Sequence, residues 1–163
     1  MKPQELTAWV SQVWFAGRLG VWLCVLPIFL RVYTLPAFLH RLTHVQRHPP
    51  SRNPLELDHV VRIAVRVCQL RLFRLSLFPR ACLRQALALY HVLTRMGYPV
   101  EIHFGVHKDG EDLRGHSWVM LQGKPLAERT RTAVFTTVYS YPAISTLDEA
   151  NRLQSSDAVQ NRG

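Results

Sequence analysis

The sequence predicts an α+β domain, with helices first and an antiparallel sheet after them. Three observations carry that reading. Apolar residues recur at helical spacing as far as Met96. From Val100 the period drops to two, and short β-rich runs follow, separated by Gly-containing turns. The helical patterns come first and the strand patterns after them, which is the layout of an α+β domain. The 163 residues, 48% hydrophobic and 19% charged, suit one domain with a sizeable core.

In chain order, Leu6, Trp9, Val10, Val13 and Trp14 predict an amphipathic helix over 5–18, which Gly20 is expected to punctuate. A second helical stretch, 21–46, is expected to kink at Pro27 and Pro36. Val21 to Leu30 is apolar throughout and Val32 to Leu39 largely so, but Arg31 interrupts them. A spanning helix wants about 20 predominantly apolar residues. The segment therefore reads as a packed helical layer or partner surface, with a membrane-surface contact and a true span as the alternatives, and it lacks the cleavage site of a signal peptide. Residues 48–54, rich in proline, form a linker. This divides the chain into an apolar helical segment (1–54), a core (55–154) and a polar tail (155–163).

In the core, Val60, Val61, Ala64, Val67 and Cys68 make the stripe of a helix over 55–72. Leu83, Ala86, Leu87, Tyr90 and Leu93 make that of a helix from Cys82 to Met96, with Gly97 as its stop. Val100, Ile102, Phe104 and Val106 alternate with polar residues and Gly105 as a first strand, and 108–112 reads as a loop. A second strand covers His116 to Leu121, Gln122-Gly123-Lys124 is a three-residue turn, a third strand covers Pro125 to Thr130, and 133–141 is β-rich.

Lys plus Arg number 20 and Asp plus Glu 11, a net charge of +9. That surplus favours an acidic partner. The arginines are scattered and no nucleic-acid motif is present, so nucleic acid is not the expected one. Three widely spaced cysteines, Cys24, Cys68 and Cys82, argue against a disulfide framework and for a reducing, cytoplasmic setting, with a membrane surface as the other option. No CxxC or HExxH occurs. His40, His44 and His48 share a possible helix face without an evident fourth ligand, so no metal is expected.

The residues with chemistry in them are few. Cys82 opens a helix, where unpaired N–H groups and the positive dipole end favour a thiolate and could serve an oxyanion. The same position also suits a small buried hydrophobe. Gln85, one turn on, is a candidate oxyanion donor. Cys24 and Cys68 lie in apolar runs and read as buried. A thiolate needs a base. His116 opens a strand, with Trp118 two residues on and on the same face, able to wall the imidazole from water or simply to fill core. An acid should orient the imidazole. A three-residue turn at 122–124 puts Glu128 on the face of His116, whereas a two-residue turn puts it on the other; Asp112 is the alternative.

On these residues the chain resembles the leader peptidases of lasso-peptide biosynthesis, transglutaminase-like or papain-like cysteine peptidases with a Cys-His-acid triad. The resemblance runs from about Phe78 to Glu128. It is carried in order by Cys82-Leu83-Arg84-Gln85-Ala86-Leu87-Ala88-Leu89, Met96-Gly97-Tyr98, Phe104-Gly105-Val106, His116-Ser117-Trp118-Val119 and Gly123-Lys124-Pro125-Leu126. The gaps 116 − 82 = 34 and 128 − 116 = 12 suit the family. It departs at Ala86 (usually Ser), Met120 (often acidic) and Glu128 (usually Asp). The resemblance implies hydrolysis of a ribosomal precursor peptide through Cys82, His116 and Glu128, with no cofactor. It also implies two partners, a separate leader-recognition protein and an ATP-dependent, asparagine-synthetase-like cyclase. A transglutaminase-like acyltransferase and a non-enzymatic basic binding module are the competing readings.

Overall fold

A computed structural model of the chain describes residues 3–43, 54–74, 80–128 and 132–142. Four helices, α1 (Pro3–Val32), α2 (Leu35–Thr43), α3 (Pro54–Cys68) and α4 (Ala81–Arg95), precede a four-stranded antiparallel sheet. Its strands are β1 (Val100–Asp109), β2 (Asp112–Leu121), β3 (Lys124–Leu126) and β4 (Thr136–Tyr141), in the spatial order β3-β2-β1-β4. Short 3-10 turns occupy Arg71–Arg74 and Thr132–Val134. The α+β class and the antiparallel sheet follow the sequence expectation.

α4 is the centre of the molecule. Ala86, Leu87, Ala88, Leu89 and Tyr90 are consecutive and all buried. A helix buried all round must be covered on both sides. One side packs on the sheet, where Val100, Ile102 and Val119 are buried, the other chiefly on α3, with Ala64 and Val67, and on α2 and α1, which complete the same core. Gly97, at φ +80, ends α4 in a left-handed cap: its N–H donates to Thr94 O and that of Tyr98 to Leu93 O. At the other end the buried Arg84 donates to Cys68 O at 3.1 Å and to Phe73 O at 2.5 Å, tying α4 to the end of α3 and the turn after it.

Several boundaries differ from the sequence reading. α1 runs without a break through Gly17, Gly20 and Pro27. A helical glycine costs only about 1 kcal/mol relative to alanine, and the burial of Leu19, Leu23 and Leu26 outweighs it. Cys24 is exposed, not buried, because it lies on the side of α1 away from those leucines. α3 starts at Pro54, a residue suited to the first helical position, and stops at Cys68, short of 72. The expected loop at 108–112 is a tight hairpin: Asp109 pairs with Asp112 across Gly110-Glu111, with Gly110 at φ +66. The expected linker lies almost wholly outside the described residues, as do His44, His48 and the polar tail.

The turn after β2 has two residues, not three. Leu121 pairs with Lys124 across Gln122 (φ +50) and Gly123 (φ +75), the pair of left-handed residues a tight hairpin uses. β3 is also shorter than expected, ending at Leu126. Both differences bear on Glu128.

Candidate active site

The β1–β2 register fixes which side chains share a face. Ile102 pairs with Val119 and packs on α4. His103 pairs with Trp118, and Gly105 with His116, so these occupy the alternate phase of the ladder. That phase is not open to water. Trp118 is buried, and Phe135 lies 5.1 Å from the His116 ring and 6.3 Å from the Trp118 ring, centroid to centroid. Trp118 has an imidazole stacked near each side of it, His103 at 5.7 Å and His116 at 5.8 Å. It can lie across β1 because residue 105 is glycine: a Cβ there would come within 2.8 Å of Trp118 Cη2 and 3.0 Å of Thr136 O.

His116 Nε2 bonds Glu128 Oε2 at 2.9 Å, with both side chains largely buried. The partner is the expected one, but the route to it is not. In the observed register Val119 pairs with Leu126, so an unbroken β3 would set Glu128 opposite Ser117, out of phase with His116. Ala127 breaks the alternation. It adopts φ +54, a left-handed conformation unusual for alanine, and the turn re-aims Glu128 at His116. Gln85 of α4 donates its Nε2–H to Ala127 O at 3.1 Å, so the helix holds the kinked residue. Burial raises the Glu128 carboxyl above the usual carboxylate range, and the hydrogen bond and charge of His116 oppose that rise. With Glu128 ionised, Nε2–H of His116 donates and the Nδ1 lone pair is left as the base.

Cys82 is half-buried in the first turn of α4. Arg80, the N-cap residue, makes no side-chain capping bond. Cys82 and Gln85 are three apart and therefore neighbours on one side of the helix. The contacts Gln85–Ala127 and Glu128–His116 thus lead from the first turn of α4 to the imidazole. Among the described residues no hydrogen bond joins Cys82 Sγ to the His116 ring. β3 stops at Leu126, so among the described residues β2 has no strand partner beside His116 on that side. Cys68 is a different kind of thiol: burial pushes its pKa up to about 12. Asp112, the alternative acid, is exposed at the hairpin turn, four residues before His116 along β2. Among the described residues no group of His, Cys, Asp and Glu is placed to hold a metal ion.

Three parts of this arrangement lie outside the sequence expectation. Phe135 carried no motif. His103 and Glu101 were on the strand's polar phase, and alternation alone does not reveal that Trp118 and Phe135 cover that phase. The left-handed Ala127 has no signal at all, since alanine does not advertise positive φ.

A family model described as the transglutaminase-like superfamily matches residues 21–140. The chain belongs to the transglutaminase-like superfamily, whose members are typically cysteine peptidases or acyltransferases. The curated proteins and the solved structures give no match.

Proposed function

We propose that the chain is a cysteine peptidase that removes the leader from a ribosomal precursor peptide in lasso-peptide maturation. The observation that supports it most is the carboxylate-held imidazole His116–Glu128, tied through Ala127 to the helix whose first turn carries Cys82. Cys82, on the helix that packs against the Ile102–Val119 phase, and His116, on the alternate phase, must meet around the edge of β2 when substrate is bound; catalytic hydrogen bonds often tighten only then. The Cys82 thiolate attacks the scissile carbonyl carbon, forming the C–S bond and sending the π electrons to oxygen. First-turn N–H groups of α4 and the second N–H of the Gln85 amide receive that oxyanion. His116, protonated at Nδ1 by the thiol, gives this proton to the leaving nitrogen as the C–N bond breaks. Water then attacks the thioester with His116 as base, and the C–S bond breaks. The core peptide leaves with a free N-terminal amine, and the leader leaves as a carboxylate.

Trp118 and Phe135 keep bulk water from the imidazole face. The partners fit the same reading: a leader-recognition protein delivers the precursor, and an ATP-dependent, asparagine-synthetase-like cyclase consumes the amine. The test is cleavage of a precursor by the purified chain with its recognition protein, read by mass spectrometry. One cut per precursor, lost in Cys82→Ala, supports the proposal. Intact precursor under conditions where the chain acylates an added amine supports the acyltransferase reading instead.

A further inference from the structure

The outer side of α1 has no part in the site or in the core. Val10, Val13, Trp14, Val21, Ile28 and Val32 are exposed along it. At 3.6 residues per turn they form one stripe about 33 Å long. The opposite side of the helix is fixed: Leu19, Leu23 and Leu26 are 3%, 0% and 0% exposed within the core. The stretch Gln12–Val32 is long and apolar enough to cross a membrane by composition. Crossing would require stripping those three leucines from α3 and α4, so α1 does not span. What remains is an apolar face presented sideways.

The charges on this face narrow the occupant. Between Val10 and Val32 the only charged residues are Arg18 and Arg31, and no acid is present. At about 100° per residue, Arg18 lies along one margin of the stripe and Arg31 along the other. The Arg18 guanidinium sits 4.6 Å from the Trp14 ring centroid, over its face. A shallow groove of about 640 Å³ runs past Gly17 between Trp14 and Phe29. A second copy packed here by a two-fold axis would set arginine margins against arginine margins with no acid to offset them. A folded protein partner would need hydrogen-bonding side chains on the face, on the order of one bond per 100–200 Å². Apart from the two arginines, Cys24 and the single indole N–H of Trp14, this stripe offers none between Val13 and Val32. Residues 143–163, outside the described structure, hold four large aliphatic side chains (Ile144, Leu147, Leu153, Val159), too few to cover it. An apolar face with a tryptophan, bordered by cations and free of acids, matches an anionic lipid surface.

We infer that α1 is an in-plane membrane anchor, which docks the domain on anionic lipid with its outer stripe among the upper acyl chains and Arg18 and Arg31 at the headgroups. This does not depend on the peptidase reading. The test is sedimentation of the full chain with extruded vesicles, phosphatidylglycerol mixed with phosphatidylcholine against phosphatidylcholine alone, beside light scattering of the free protein. The anchor predicts binding about tenfold or more tighter to the anionic vesicles, and a further loss of about tenfold in Val21→Ser/Ile28→Ser with helicity and melting unchanged. Arg18→Gln/Arg31→Gln should remove the preference for the anionic vesicles. Should the serine variant fold poorly, quenching of Trp14 by lipids brominated high on the acyl chain provides a second readout: it should be strong in wild type and largely lost in Trp14→Phe. Absence of both binding and quenching overturns the inference. So does a dimer that Val21→Ser/Ile28→Ser converts to monomer, which would show a second copy covering the stripe.

Discussion

Two histidine–glutamate pairs share one phase of the sheet, and they are nearly alike in geometry. Glu101 and His103 are 2.8 Å apart, His116 and Glu128 2.9 Å, and both imidazoles stack beside Trp118. Their construction differs. Glu101 and His103 are two apart on β1, and any strand sets such residues on one face. His116 and Glu128 come from different segments, joined only because a tight turn, a short strand and a left-handed alanine bring them together, with Gln85 of α4 holding the last of these. A carboxylate-held imidazole is therefore not by itself a site. The second pair is distinguished by its tie to the helix that carries a cysteine in its first turn.

The largest expected effect separates the pairs outright. Cys82→Ala and His116→Ala should each lower precursor cleavage by about 10⁴-fold or more with the fold intact by circular dichroism, while His103→Gln stays within about tenfold of wild type. Equal loss in His103→Gln would erase the distinction. Next come the acids. Glu128→Gln should cost about 10²-fold in kcat, and Glu101→Gln and Asp112→Asn about threefold or less. A crippled Asp112→Asn beside an active Glu128→Gln would make Asp112 the orienting acid.

Smaller effects are expected where the supports are touched. Gln85→Ala frees Ala127 and should lower kcat about tenfold and shift the pH–rate profile, since the Glu128–His116 bond loses its brace. Gly105→Ala drives a Cβ into Trp118 and should act on the same two readouts. Gln85→Ala should leave the Glu101–His103 pair undisturbed, so that histidine's resonances provide the internal control for it, whereas Gly105→Ala moves Trp118, on which both imidazoles stack, and should shift both. A shift confined to His103 would assign the support to the wrong pair.

The smallest effect lies away from both pairs and bears on stability. His91 of α4 is half-buried against Trp22, rings 4.5 Å apart, and its pKa is lowered to about 4, first by desolvation and then by Arg95 and Arg18. The unfolded chain thus binds more protons between the usual imidazole value of 6.5 and about 4. The stability this histidine contributes is fully present above about pH 6.5 and is lost as the pH falls toward 4, about 2 kcal/mol between pH 7 and pH 5. Urea unfolding at the two pH values should show that loss in wild type, and His91→Phe should flatten it.

How far the sequence carried this picture follows from which signals are local. α4 was legible end to end, because its apolar stripe and Gly97 belong to the segment itself. The spacing predicts a break at Gly20 that α1 does not have, because the leucines that hold it straight there act through α3 and α4, and no spacing rule reports that packing. The turn at Gln122-Gly123 illustrates the sharpest limit. The sequence named Glu128 as the partner of His116 on a three-residue turn; the turn has two residues, and the strand kink at Ala127 compensates. Two errors of phase cancelled, and only the backbone reveals it. Trp118 was readable as a wall of the imidazole, but Phe135, which closes the other side, comes from a segment with no pattern linking it to β2.

The central claim is that Cys82 is the nucleophile and that His116, not its near twin, activates it. Alkylation by iodoacetamide across pH 5 to 10, followed by peptide mapping of Cys24, Cys68 and Cys82, tests it without any substrate. The account predicts that Cys82 reacts faster than exposed Cys24 below pH 7, that His116→Ala abolishes this low-pH reaction, and that His103→Ala leaves it in place. Cys82 reacting no faster than Cys24, or reacting unchanged in His116→Ala, would contradict it.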